Sequence, residues 1–266
     1  MRKTRSFFIF AAAGLLAVRA ISAGEGEAKP ETATHKGLPA LQVKVIDKAP
    51  AVDGKLDDEA WKNAPVLLLT WSDGRGGKPL HDTEARVLTT KDALYLGVRC
   101  KETDLKSIKA NQQARDADEV WQEDCVEFFL ALTDSDDSTY HQIVVNAAGS
   151  MYDGYDRDTA WNAANVKAAA GKEEAAWVVE LCVPFADLKL PEKKEDLAKG
   201  CRMNIYRERP RDDGASNDYA WSSTGGSNHT PNKFGWVFFE AYGAKLPPPE
   251  KPDEAKTEGA PAEKKE

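Results

Sequence analysis

The chain lacks the residue patterns that most often announce chemistry. It contains no His-Glu-x-x-His, no Gly-x-Ser-x-Gly and no Walker loop, so metal peptidases, serine hydrolases and nucleotide enzymes of the common kinds find no support. Its four histidines are scattered, and His141, in a strand-like run, reads as a polar surface residue. Runs of Lys or Arg are missing outside the N-terminus and a mixed-charge C-terminal stretch, and the net charge is -8. A nucleic-acid partner would need a basic face for its phosphates, so none is expected. Long apolar runs are also missing: Phe7 to Val18 spans about 12 residues, short of the roughly 20 that a membrane-crossing helix needs. Cysteine is sparse. Cys100, Cys125, Cys182 and Cys201 fit no zinc spacing, which leaves up to two disulfides in three connectivities, or buried free thiols.

What is present begins with an export signal. Arg2, Lys3 and Arg5 precede the short apolar run, and Ser22 and Ala23 follow it, the order of a secretory signal peptide over residues 1–23. The expected destination is outside the cytoplasm: periplasmic, cell-surface or secreted. Residues 24–37 read as a linker. Residues 244–266 are mostly Pro, Glu, Lys and Ala and read as a disordered tail, because such a composition buries too little apolar surface to offset its ordering entropy. Residues 38–243 remain as a single domain with enough chain for a full core.

Hydrophobicity in that domain alternates with period two. Leu94, Leu96, Val98 and Cys100 share one face of a run whose other face carries Tyr95 and Arg99, the signature of a half-buried strand. Similar runs occupy 41–46, 84–89, 125–132, 141–147, 177–183, 201–207 and 235–240, separated by Gly, Asp, Asn, Ser and Pro. Eight strands without a long helical pattern predict an all-β fold, an antiparallel β-sandwich of immunoglobulin-like or jelly-roll-like type. Short helical turns are expected at 57–63, capped by Asp57, and at 185–189 after Pro184.

Four segments stand out in order: Asp53-Gly-Lys-Leu-Asp-Asp-Glu-Ala-Trp61, Trp121-Gln-Glu-Asp-Cys-Val-Glu127, Tyr140-His-Gln-Ile-Val-Val-Asn146 with Ala147-Ala-Gly149, and Trp177-Val-Val-Glu-Leu-Cys-Val-Pro-Phe185. Together they resemble a family 9 carbohydrate-binding module. The resemblance implies a β-sandwich that holds a sugar between aromatic rings and performs no catalysis. Trp61, Trp177 and Trp236 lie in strand or plug positions and are expected to be scaffold. Trp121 and Trp221 lie where polar loops meet strands, and the resemblance makes them the two walls of a sugar clamp, with indole faces matching the C–H faces of a pyranose. Glu127, Gln142 and Asn146 are the expected polar contacts. Where sugar-binding members have an arginine, two residues before that Asn, this chain has Val144; Arg207 or Arg209 is the candidate replacement donor, or else pairs with nearby acids.

The resemblance also implies structural calcium, which prefers clustered oxygen ligands; Glu102, Asp104 and Asp124 are the candidate ligands. The acidic turn beginning at Asp134 is not an EF-hand, since Thr139 and Val145 stand where that loop needs Gly and Glu. The expected partner is an oligo- or polysaccharide, with a separate glycan-degrading enzyme as a further candidate. Three other readings stay open: an envelope or protein-contact sandwich whose sugar site has decayed, a haem b domain using His141 with Met151 or Met203, and a hydrolase using Glu123 and Asp124.

Overall fold

A computed structural model describes residues 33–134, 138–211 and 217–248. The signal segment, residues 24–32, residues 135–137 of the acidic turn, and residues 249–266 lie outside the described residues. In chain order the strands are β1 (Ala33–His35), β2 (Leu38–Val43), β3 (Leu67–Leu68), β4 (Thr70–Trp71), β5 (Thr83–Thr89), β6 (Ala93–Lys101), β7 (Cys125–Ala131), β8 (His141–Asn146), β9 (Met151–Tyr155), β10 (Lys167–Lys172), β11 (Ala176–Pro184), β12 (Cys201–Glu208), β13 (Tyr219–Ala220) and β14 (Gly235–Phe239). They form two sheets. The larger runs β1-β2-β14-β12-β7-β8-β9, with β13 and β4 added beside β12, and the smaller runs β10-β11-β6-β5-β3. Pairing is antiparallel except between β2 and β14, which run parallel.

The alternation seen in sequence becomes the sandwich core. Leu94, Leu96, Val98 and Cys100 of β6 and Trp177, Val179, Leu181 and Val183 of β11 meet Val126, Phe128 and Leu130 of β7 and Met203 and Ile205 of β12 between the sheets. At roughly 25 cal/mol per Å2 of apolar surface, this layer is the main stabilising contribution. Trp177 and Trp236 are fully buried, as scaffold residues should be, and Trp61 seals the outer side of the smaller sheet with Tyr95, Leu88 and Cys182. All four cysteines are buried free thiols.

The Asp53–Trp61 segment is held by a single buried carboxylate. Glu180 on β11 accepts the backbone N–H groups of Asp53, Gly54 and Lys55 at 2.9–3.2 Å on one oxygen and the Trp61 indole N–H at 2.8 Å on the other. Gly54 is required there: its φ is +83°, and a Cβ would lie 2.7 Å from the Ala170 carbonyl oxygen. The helical turn that follows is α1 (Glu59–Lys62), with Asp58 rather than Asp57 at its N-cap position and no side-chain cap. The Asp58 carboxylate instead accepts the Ala51 N–H at 2.8 Å. After Pro184 the expected turn is a 3₁₀ turn over Phe185–Asp187.

Two boundaries move. Residues 33–35, inside the expected linker, pair with β2 as a hairpin. Ala244 and Leu246, inside the expected tail, pack with Trp236 and Phe238, and Gln42 ties them by accepting Leu246 N–H and donating to the Ala244 carbonyl. Both segments cover apolar surface on the outside of β14, which would otherwise face water.

Candidate functional site

Position in the sheet decides which side chains reach solvent. On the larger sheet, Val126, Phe128 and Leu130 of β7 point into the sandwich, so Glu127 points out; the same parity on β12 sends Ile205 in and Glu208 out. Phe129, Tyr140, Tyr206, Ala220 and Phe234 share that outer face and form a small second core. Beside that core the outer face opens into a cleft of about 630 Å3 floored by Glu127, Gln142, Tyr152 and Glu208. Trp121, the Gly226–His229 loop, Arg157, Thr159 and Asp218 complete the lining.

Trp121 is presented by an in-and-out pair. Glu119 turns the chain through a left-handed conformation, φ +65°, into a 3₁₀ turn over Val120–Gln122. Val120 is buried against Cys125, Val144 and Tyr152 and anchors the turn, while Trp121 remains 38% exposed, the only large aromatic side chain so exposed among the described residues. Its ring meets Tyr152 edge-on at 5.2 Å, so the indole is braced by Tyr152 while part of it stays open to the cleft.

The floor is acidic and hydrogen-bonded mostly through amides. Gln142 Nε2 donates to Glu127 Oε2 at 2.6 Å. Asn228 Nδ2 bridges Glu127 Oε1 at 3.0 Å and Glu208 Oε1 at 2.7 Å. Burial raises Glu127 above the usual carboxylate range. Glu208 is raised further, by burial first and then by the negative charges of Glu127 and Asp218. Like charges this close do not ionise together at little cost, and Asp218, which also bonds Glu208, adds a third carboxyl to the group. Across the cleft, Arg157 Nε reaches the Tyr140 hydroxyl at 3.4 Å, and His229 Nδ1 meets the same hydroxyl at 2.7 Å. Burial, followed by the charge of Arg157, lowers the His229 pKa and favours the neutral ring.

Of the residues nominated from sequence, Trp121, Glu127 and Gln142 come together here. The other three do not. Trp221 is 6% exposed and belongs to the inter-sheet core. It alternates with Ala220, so Ala220 takes the outer face and the indole turns inward onto Gly235, where any Cβ would lie within 3 Å of the ring. The structure thus has one indole platform where a two-tryptophan clamp was expected. Asn146 has the correct parity but sits at the strand end. It accepts the N–H groups of Ala148 and Ser150 and donates to Glu123 Oε2 at 2.7 Å, which pins a tight turn. Arg207 shares the inward parity of Ile205 and is fully buried, bonded to Thr83 Oγ1, the Lys101 carbonyl and Glu102.

The nominated calcium ligands do not form a metal site. Glu102 receives Arg207, Arg209 and Arg211 at 2.7–3.4 Å. Burial would raise its carboxyl, but the Arg209 hydrogen bond and the surrounding positive charge hold it at about 2. Three guanidinium groups already fill the place a cation would take. Asp124 is committed to Arg211 and the Lys109 N–H, both at 2.9 Å, and Asp104 accepts the Lys106 N–H across an exposed 3₁₀ turn. Among the described residues no cluster of His, Cys, Asp and Glu is arranged to hold a metal.

The competing sites are also accounted for. Glu123 accepts the N–H groups of Asn111 and Gln112, so Glu123 and Asp124 brace loops. His141 is buried, contrary to a surface reading, because it has the inward parity of Ile143 and Val145. Its Nδ1 bonds the Leu130 carbonyl and its Nε2 accepts the Lys189 N–H at 2.9 Å, which leaves neither nitrogen for haem iron. Sequence reasoning passed over Tyr152, Arg157, Glu208, Asp218 and the Gly226–His229 loop. Only Glu208 carried a usable signal, the parity set by Cys201, Met203 and Ile205.

Residues 52–241 match the family described as carbohydrate family 9 binding domain-like. No curated protein shows significant similarity to the chain. Among solved structures, a Bacteroides uniformis ATCC 8492 protein provisionally classed as carbohydrate-binding superposes with a TM-score of 0.58 at 20% identity, covering 76% of this chain and 100% of that one. A family 9 carbohydrate-binding module from Caldicellulosiruptor kristjanssonii in complex with cellotriose gives 0.52 at 14% identity, over 84% and 100%. The same organism's module in complex with glucose gives 0.53 at 14%, over 78% and 100%. At these identities the likeness is one of fold.

Proposed function

The chain belongs to the carbohydrate family 9 binding domain-like family, a family of non-catalytic binding modules, and we propose that it captures an oligo- or polysaccharide in the cleft beside Trp121. The observation that carries this reading is a part-exposed indole lining a cleft whose floor is made of hydrogen-bonded carboxylates and amides, Glu127 and Gln142 buried and Glu208 and Asn228 half-buried. A pyranose offers that site C–H groups for the ring and hydroxyls for the floor. Apolar contact over one indole contributes a few kcal/mol at about 25 cal/mol per Å2, and association costs leave part of it. Carboxylates and amides then select orientation, because a sugar hydroxyl that misses them leaves buried polar groups without partners.

The absence of a cation at Val144 is compatible with this role. Val144 is buried under Val120 and Tyr152, where it supports the wall that carries Trp121. The N-terminal signal pattern supports export, which places the cleft among extracellular or periplasmic glycans; no helix among the described residues is long and apolar enough to cross a membrane. A separate glycan-degrading enzyme is the natural recipient of sugars so captured.

Tryptophan fluorescence tests the reading. The purified protein is titrated with cello-, xylo-, manno-, galacto- and glucosamine-type oligosaccharides. A saturable change from at least one class, absent in Trp121→Ala while Trp121→Phe keeps part of it, is the expected result. A folded protein that responds to none of them would transfer the weight to a protein-contact role for the sandwich. N-terminal sequencing of protein recovered outside the cytoplasm tests export separately, with cleavage near residue 23 expected.

A further inference from the structure

Buried carboxylates elsewhere in the molecule have built-in counter-groups. Glu102 has three arginines, Asp124 has Arg211, and Asp153 has Arg115 at 2.9 Å. Glu180 has three backbone N–H groups and an indole N–H. The cleft floor is different. Glu127 and Glu208 are served by Gln142, by the shared Asn228 amide, by each other and, at Glu208, by Asp218, and among the described residues neither has Lys or Arg within ion-pair distance. Arg157 lines the same cleft but turns its Nε to the Tyr140 hydroxyl, and His229 is directed to that hydroxyl as well. On β8, Gln142 supplies an amide and Val144 supplies no charge.

The floor therefore has acceptors in excess of donors beside the part-exposed Trp121, and the cleft's cation, Arg157, is not among the ion-pair partners of its carboxyls. Its oxygens do not converge in the way a metal's ligands would. A neutral sugar hydroxyl gives one donor and brings lone pairs of its own, whereas an ammonium gives three donors, a positive charge and no acceptor. Uronic acids would bring another carboxylate to a floor that already holds two, with Asp218 beside them.

Building on the saccharide reading above, we propose that the cleft selects an amino sugar with a free ammonium, a glucosamine-type oligosaccharide whose pyranose face lies on Trp121 and whose ammonium sits against Glu127 and Glu208. The ammonium stabilises both carboxylates as anions, so a proton held on either of them leaves to solvent. No covalent bond changes. Hydrogen bonds between charged groups are about twice as strong as neutral ones, so a preference of roughly 10-fold or more over the neutral sugar of equal length is expected.

The test compares four trisaccharides on the whole protein by tryptophan fluorescence and calorimetry at mildly acidic pH: the glucosamine trimer, its N-acetylated form, cellotriose and trigalacturonate. The expected result is tightest binding by the glucosamine trimer, weakened by added salt, with a preference that disappears in Glu208→Gln. Calorimetry of the unmodified protein in buffers of different ionisation enthalpy should show proton release on binding this trimer, which keeps the test independent of whether the variant folds. Cellotriose, the acetylated trimer or the uronate binding as tightly as the amine, through a Trp121-dependent signal, would overturn the amine preference and leave the saccharide reading standing. Silence from all four, together with the wider panel, would overturn both.

Discussion

Trp121 and Trp221 illustrate how neighbours decide the job of a residue. Each stands next to a small or apolar partner of opposite orientation: Val120 is buried and Trp121 emerges, whereas Ala220 lies on the outer face and Trp221 is driven inward. Composition around the two tryptophans is alike, so both looked like loop-edge platforms, and the difference lay in pairing that a single chain does not display. The substitutions should separate them. Trp221→Ala is expected to cost about 3–5 kcal/mol, since a buried indole leaves a cavity against Gly235. Trp121→Ala is expected to change stability by less than about 1 kcal/mol and to abolish the saccharide response. Urea titration of both variants beside fluorescence binding checks the two outcomes. The same logic separates Arg207 from Glu208. Their one-residue offset on β12 sends the arginine between the sheets and the glutamate into the cleft, and the alternation of Cys201, Met203 and Ile205 was the available clue.

At the scale of elements, the eight strands that alternate were legible because each presents one apolar face to a common core. β10 was not, because its sequence is Lys-Ala-Ala-Ala-Gly-Lys. Part of that has a physical reason: the Gly54 turn presses on the strand so closely that a Cβ at Gly171 would meet the Gly54 carbonyl oxygen, and one at Gly54 would meet that of Ala170. β1, β3, β4 and β13 are too short to carry a period, and they gain stability from the sheets they join. Gly54→Ala is accordingly expected to destabilise by about 1–3 kcal/mol or more, from a disfavoured left-handed backbone and a clash with the Ala170 carbonyl. A fall in the denaturation midpoint without any change in saccharide response is the expected observation. The Glu102 cluster joins elements across the sandwich, since Arg207 on the larger sheet reaches Thr83, Lys101 and Glu102 at the edge of the smaller one. Glu102→Gln should cost about 3–5 kcal/mol, because three guanidinium groups would be left facing a neutral amide. The carboxylates of that cluster were visible in sequence and were read as calcium ligands; the arginines that occupy them are about a hundred residues away in the chain, and only the fold brings the two sets together.

For the molecule as a whole, the buried titratable groups pull stability in opposite directions along the pH axis. Glu102 is held at about 2 against an ordinary 4.5, so its contribution is full above the ordinary value and disappears as pH falls toward 2. His141 is lowered to about 4 from 6.5 by burial, and its neutral ring, needed to accept the Lys189 N–H, supports the fold above 6.5 and is lost as pH falls toward 4. Glu127, Glu208 and Glu180 are shifted upward, each by burial first. They favour the native state while protonated, and that contribution is lost as pH rises from the ordinary 4.5 through their raised values. The melting temperature should therefore peak in mildly acidic solution, at about pH 5–7, and fall on both sides. Glu208 has the largest upward shift of the three and a like-charged neighbour on either side, so Glu208→Gln should flatten the fall above the peak while leaving the fall below it intact. Glu102→Gln should do the reverse, flattening the acidic limb on a lower overall curve. A melting series from about pH 3 to pH 9 on the three proteins measures this. If Glu208→Gln melted in parallel with the unmodified protein at every pH, the cleft carboxyls would not hold a proton, and the donor-poor floor would have to be explained by a counter-charge from outside the described residues.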